Sequence, residues 1–251
     1  MQILASLCLL FFVASVTASG ARLLWVGRRT RRAPEILLGA GSLLVATISL
    51  PLSVASGFGG DVGDVHVPLW VFSEALTQIG IVCLYAFTQQ VFRPHAAWAR
   101  AVIAIAALLL AICLAGAGRG LATAAPDTIS VVATGKWLLV CHFVYAGAFV
   151  WSAVEGFQHY RSARRRVALG LADPVVTNRF LLFAIYGLAS TGISFANAAA
   201  VVLERNISTS LVVMLPAAVL APIAAGAMFL AILSPAWYAG RIRSQRRAAP
   251  I

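Results

Sequence analysis

The 251-residue chain is 61% apolar and only 11% charged, and it carries a formal net charge of +11. A soluble domain holds about 25% charged residues and could not hide this much apolar surface in one core, so a water-soluble fold is excluded in favour of a lipid-embedded one. The positive charge is eighteen Arg and a single Lys, set in short clusters beside apolar stretches, which points to loop charge at a membrane surface and away from nucleic acid as a partner.

Inside lipid every backbone polar group needs an internal partner, so continuous apolar runs of about twenty residues read as helices, not as the alternating strands of a barrel. The chain is therefore predicted to be all-α, a single bundle of seven transmembrane helices. The spans fall at about 2–26, 35–56, 67–92, 97–118, 130–158, 174–203 and 210–237, followed by a basic tail at 238–251.

Span one is followed by Arg28, Arg29, Arg31 and Arg32. A cleaved signal peptide needs basic residues before its apolar core, and residues 1–7 have none, so span one reads as a retained helix. Span two ends in a Gly-rich linker with Asp61 and Asp64, and Arg93 and Arg100 flank the linker after span three. Arg119 and Asp127 follow span four, and Arg161, Arg164, Arg165 and Arg166 follow span five. Asp173 and Pro174 fit an N-cap and a first helical position, so span six begins near 174. Glu204 and Arg205 follow it. Span seven holds Pro216 and Pro222, which are expected to bend it or to free carbonyls. Arg241, Arg243, Arg246 and Arg247 lie in the tail.

The basic linkers alternate with the others. With Arg22 and Arg179 counted, all Arg except Arg119 and Arg205 collect on one side, which is expected to be cytoplasmic. The C-terminus is then cytoplasmic and Met1 outside, in a multi-pass protein of a plasma membrane. The Arg- and Ala-rich composition suggests a bacterial inner membrane. Anionic lipid headgroups are the expected partner of the Arg clusters.

Ionisable residues within a hydrocarbon layer are costly and commonly face a bundle interior. Glu74 in span three and Lys136 in span five fall roughly 10 Å from the outer surface at the helical rise of 1.5 Å per residue, with Asn197 of span six at a similar level. Glu74, Thr77, Gln78, Tyr85, Thr88 and Gln89 share one face of span three, and Tyr186, Ser190, Ser194 and Asn197 form a stripe on span six with Gly187 beside it. We expect an outward polar pocket between helices three, five and six, with Glu74 pairing Lys136. Gln78, Asn197, Thr77 and Ser194 are the further ligand contacts. The packing alternative is that the hydroxyls only join helices. At the cytoplasmic face Glu155 and His159 stand four apart, with Arg93, Arg100, Arg179 and Asp173 expected nearby. A Glu155 pair with Arg100 or Arg179 is the expected ion-pair switch.

Cys8, Cys83, Cys113 and Cys141 lie in apolar spans without a C-x-x-C pair, so neither disulfide nor metal site is expected. No cofactor is predicted: His142 lacks a second His at its depth for a haem, and span seven has no Lys for a retinal Schiff base. No hydrolase, zincin, P-loop or dinucleotide motif is present, and no enzymatic activity is predicted. The stretches Val91 to Pro94, Trp98 to Arg100 and Asp173 to Phe180 resemble segments of bacterial seven-helix membrane proteins, a resemblance that implies the fold and no activity. Three functions fit these residues. The first is a receptor-like sensor that binds a small molecule or ion and signals to a cytoplasmic partner protein. The second is a secondary transporter or channel using the same seam. The third is a non-catalytic assembly subunit.

Overall fold

A computed structural model of the protein describes residues 2–204 and 210–248. Met1, Arg205 and residues 249–251 fall outside the described residues, as do the side chains of Arg246 and Arg247. The chain is helical and has seven helices long and apolar enough to cross a membrane. They are α1 (Gln2–Thr30), α2 (Ala33–Ala55), α3 (Val67–Phe92), α4 (Ala97–Thr123), α5 (Ser130–Ala168), α6 (Pro174–Val202) and α7 (Leu211–Leu233). A shorter helix, α8 (Ala236–Ala248), follows and carries the start of the basic tail.

Local chemistry sets the helix ends. The Asp173 side chain accepts from the Val175 N–H at 2.8 Å ahead of Pro174, as the sequence predicted. Ser210 caps α7 in the same way. Both Pro216 and Pro222 are accommodated inside a continuous α7. Pro51 has a larger effect on α2. Its missing N–H and its ring disturb the turn before it, and Leu43–Ser49 is wound as a π-helix between two α-helical parts. The longest helix is α5, whose 39 residues carry Arg161, Arg164, Arg165 and Arg166 on helix where a linker was expected after 158.

The helices close into a ring. α1 packs on α2 and α7, α2 on α3, α3 on α5, α5 on α6 and α6 on α7, while α4 lies against both α3 and α5. Small residues permit the close crossings. A Cβ on Gly41 of α2 would stand 2.8 Å from the Gly80 carbonyl oxygen of α3, so these backbones touch only because both positions lack side chains. Leu38, Ala46, Ile81, Leu84, Leu110, Ala148, Phe183 and Met228 belong to one buried cluster within the bundle. The outward face is apolar as well: Ile105, Leu108 and Ile112 of α4 and Leu188 and Phe195 of α6 are exposed.

The two ends differ. At the end opposite the Arg clusters, two loops are sewn together. The Val62 N–H donates to the Thr128 carbonyl and the Gly63 N–H to the Pro126 carbonyl, each at 2.8 Å, while the Ser130 N–H donates to the Gly60 carbonyl at 3.0 Å. Phe58 stacks on Trp70 beneath them at 4.9 Å. This cap covers the ends of α3, α4 and α5, with Val62, Val65, Trp70 and Leu121 buried under it. The arginine-rich end carries the exposed Trp25, Trp98 and Trp237.

Candidate functional site

The polar face of α3 is buried or half-buried as its helical phase predicted, but most of its groups already hold partners on two neighbouring helices. Toward α5, the Tyr145 hydroxyl donates to the Glu74 carboxyl. One turn on, Gln78 Nε2 donates to Cys141 Sγ at 3.6 Å. Tyr85 then donates to the Val144 carbonyl at 2.8 Å, and the Thr88 and Ser152 hydroxyls meet at 2.8 Å. Toward α2, Thr77 and Ser49 hydroxyls lie 2.5 Å apart, and Ser49 also donates to the Ser73 carbonyl at 2.7 Å. The α3–α5 seam is thus a ladder of hydrogen bonds running the length of the bundle, not an open pocket.

Lys136 does not pair with Glu74. It is exposed, and its Nζ sits 5.2 Å over the Trp137 ring. The helix itself explains this. Lys136 and Tyr145 are nine residues apart, which at 3.6 residues per turn sets them roughly 180° apart. Tyr145 faces Glu74, so Lys136 faces away. Gly135, immediately before it, has φ +23° and ψ −106°, a conformation open to glycine, and breaks the helical phase on which matched depths would rely. Equal depth along two helices was a poor guide to contact.

The pocket lies elsewhere. A cavity of about 250 Å³ occupies the centre of the ring. Its wall includes Phe12 and Val16 of α1, the α2 stretch from Leu37 to Leu50, Gly80 to Leu84 of α3 and Phe149 of α5. The polar stripe read on span six forms the remaining wall, with Tyr186, Ser190, Ser194 and Asn197 all lining it. Ser194 and Asn197 are therefore together, as predicted, but Glu74, Thr77, Gln78 and Lys136 are not with them. The Ser194 hydroxyl donates to the Ser190 carbonyl of its own helix at 3.0 Å. Asn197 Oδ1 is buried and has no hydrogen-bond partner. A buried acceptor without a donor is costly by about 1–3 kcal/mol, and it marks the place where a guest group would gain most. His142, also buried with an unpartnered Nε2, sits edge-on to Tyr145 at 5.8 Å.

At the arginine-rich end Glu155 is 4% exposed and accepts from Arg93 Nε at 2.7 Å and from Trp151 Nε1 at 3.3 Å. The Glu155 carboxyl beside it holds the Arg93 guanidinium above its ordinary value. The expected partners of Glu155 were Arg100 and Arg179, and both are corrected. Arg179 Nε donates to Ser234 Oγ at 3.1 Å, and Arg100 is exposed on α4. Arg93 takes their place because it is the residue that ends α3, the helix already registered against α5. His159 Nδ1 bonds the Glu155 carbonyl at 2.9 Å and stands 4.0 Å from its Oε2, with its ring against Phe92 and Phe180. Asp173 is engaged in capping α6 and lies 3.9 Å from Arg243 of α8. α8 is further tied to α6 by Asn178, which donates to the Tyr238 hydroxyl. A second, more open cavity of about 380 Å³ lies beside these groups, lined by Gln158, His159, Ser162, Arg166 and Phe180.

The residues that sequence reasoning missed are Tyr145, Cys141 and Arg93 as partners, and the apolar half of the central cavity. Tyr145 was legible as an aromatic hydroxyl in a buried stretch. The cavity wall from α1 and α2 is built of Phe, Val, Leu, Gly and Ala, and nothing in its composition separates it from packing. No protein-family profile, no curated protein and no solved structure matches the chain.

Proposed function

We propose that the chain is a multi-pass protein of a bacterial inner membrane, with its arginine-rich end in the cytoplasm and its N-terminus outside. It acts there as a receptor-like sensor. A small molecule occupies the central cavity, and the α3–α5 hydrogen-bond ladder carries its effect to the cytoplasmic ends of α5 and α6, where a partner protein reads it. The exposed apolar waist supports the membrane reading, as contiguous exposed apolar surface on this scale is unfavourable in water. The orientation is supported by the collection of Arg at one end, since cytoplasmic loops carry the excess of Lys and Arg. Anionic headgroups would meet Arg161 to Arg166 on the protruding end of α5.

The observation that carries the functional reading is the cavity at the centre of the ring, walled by the α6 polar stripe. Pockets of this kind, mostly apolar with a few convergent polar groups, are the usual form of small-molecule sites, and in bundles they lie between helices. The α3–α5 seam argues against the transport path proposed along it, because Glu74, Gln78, Tyr85 and Thr88 are each bonded to α5.

The test is extraction. The protein is purified intact in mild detergent, extracted with organic solvent, and the extract analysed by mass spectrometry beside the cavity-filled variant Ser190→Leu/Ser194→Leu. A small compound present near one per chain in the wild type and lost from the folded variant is expected. Equal recovery from both proteins removes the reading.

A further inference from the structure

We infer that the central cavity takes an uncharged, single-chain amphiphile whose head group donates a hydrogen bond to Asn197 Oδ1. This rests on the ligand-binding reading above and specifies the ligand's chemistry.

The shape of the cavity comes first. On α6 its lining residues run from Tyr186 to Asn197, a rise of roughly 16 Å at 1.5 Å per residue, and on α2 they run from Leu37 to Leu50. The cavity is therefore a slot parallel to the helices. Its volume of about 250 Å³ suits one chain and leaves no room for the second chain of a phospholipid.

The wall then sets the charge. Among the described lining residues there is no Asp, Glu, Lys, Arg or His. An ionised head placed here would lose its hydration with no counter-charge in reach, a cost well above that of a neutral polar group. Fatty acids in their ionised form and quaternary ammonium compounds are disfavoured on this ground.

The direction of the hydrogen bond follows from the inventory of wall groups. The Ser42 and Ser194 hydroxyls donate to carbonyls of their own helices, at 2.7 Å to Leu38 and 3.0 Å to Ser190. Asn197 Oδ1 differs from them: it is an acceptor, buried, and without a donor. A ligand that answers it must bring an O–H or N–H. Asn197 lies near the end of α6 opposite the arginine-rich end, while Phe12, Val16, Leu38 and Leu84 line the slot away from it. A neutral alcohol or amide head at Asn197, with an alkyl or isoprenoid chain along the slot, satisfies all three constraints.

The experiment measures saturable binding of radiolabelled dodecanol, dodecanoate and dodecane to the full chain in lipid nanodiscs at neutral pH. The wild type, Asn197→Leu and Ser190→Leu/Ser194→Leu are compared, with melting curves to confirm folding and Asn197→Ala as the substitute should the Leu variant not fold. Saturable dodecanol binding to the wild type is expected, weakened about five- to tenfold by the Asn197 variant, as loss of one hydrogen bond implies. Dodecane is expected to bind both equally and dodecanoate to neither. Dodecanoate binding as tightly as dodecanol, or dodecanol binding unchanged in the Asn197 variant, overturns the chemistry inferred here but keeps the cavity as a site. If none of the three probes binds saturably, or if the filled variant binds them equally, the cavity reading itself falls.

Discussion

Glu155 and Arg93 meet at 2.7 Å where α3 ends, and they fasten α3 to α5 at the arginine-rich end of the bundle. Glu155 is 4% exposed and its Oε2 has no hydrogen-bond partner, so the carboxyl depends on Arg93 and Trp151. Removing one partner of a buried pair leaves an uncompensated charge, whereas replacing both by apolar groups does not. Arg93→Leu is therefore expected to lower the melting temperature of the purified protein, and Arg93→Leu/Glu155→Leu to recover most of the loss. A double variant less stable than the single one would show that the pair is not what fastens these helices.

The rungs of the ladder are individually modest. Tyr85→Phe removes the bond to the Val144 carbonyl and should destabilise by about 1 kcal/mol. Thr88 and Ser152 should show a coupling of about 0.6 kcal/mol in a Thr88→Val/Ser152→Ala double-mutant cycle, in the range found between membrane helices. Equilibrium unfolding in detergent measures both.

Lys136→Met should change stability by no more than about 0.5 kcal/mol and leave dodecanol binding untouched, since the side chain is exposed and faces away from Glu74. Glu74→Leu should be far more damaging, because it strands the Tyr145 hydroxyl in the α3–α5 contact. The comparison is made by thermal melting of both variants.

The α2–α3 crossing sets a packing prediction. Gly41→Ala is expected to destabilise by about 1–3 kcal/mol, since its Cβ would meet the Gly80 carbonyl oxygen at 2.8 Å. Gly226→Ala on α7, where a Cβ meets nothing within 4 Å, should be neutral or stabilising by about 0.5–1 kcal/mol. Melting curves of the two variants separate close approach from helix propensity.

What was legible in the sequence had a local physical cause. Seven apolar runs, the Asp173–Pro174 start of α6 and the buried phase of α3 follow from solvent, capping and a 3.6-residue period. The stripe on α6 was read correctly as a face, and it lines the central cavity. What was not legible is which helix each face meets. Glu74 was assigned to Lys136 from depth and charge, yet the partner is decided by rotation about α5, and Tyr145 holds the facing position. Glu155 was placed at the arginine-rich surface as half of an ion pair, but Arg100 or Arg179 was named as its partner and not Arg93, because one-dimensional proximity to the same surface does not fix a register between helices. The cavity emptied by the ring of α1, α2, α3, α5 and α6 is a property of the closed assembly, and no single segment encodes it.

Amide hydrogen exchange over α5 and α6, with dodecanol added to the wild type and to Ser190→Leu/Ser194→Leu, tests the central claim most directly. Slower exchange is predicted in the wild type both along 186–197 beside the cavity and along 155–168 at the arginine-rich end, with neither change in the filled variant. Exchange that stays the same in the wild type, or that slows equally in both proteins, would contradict a ligand site at the centre of the ring that is felt at its arginine-rich end.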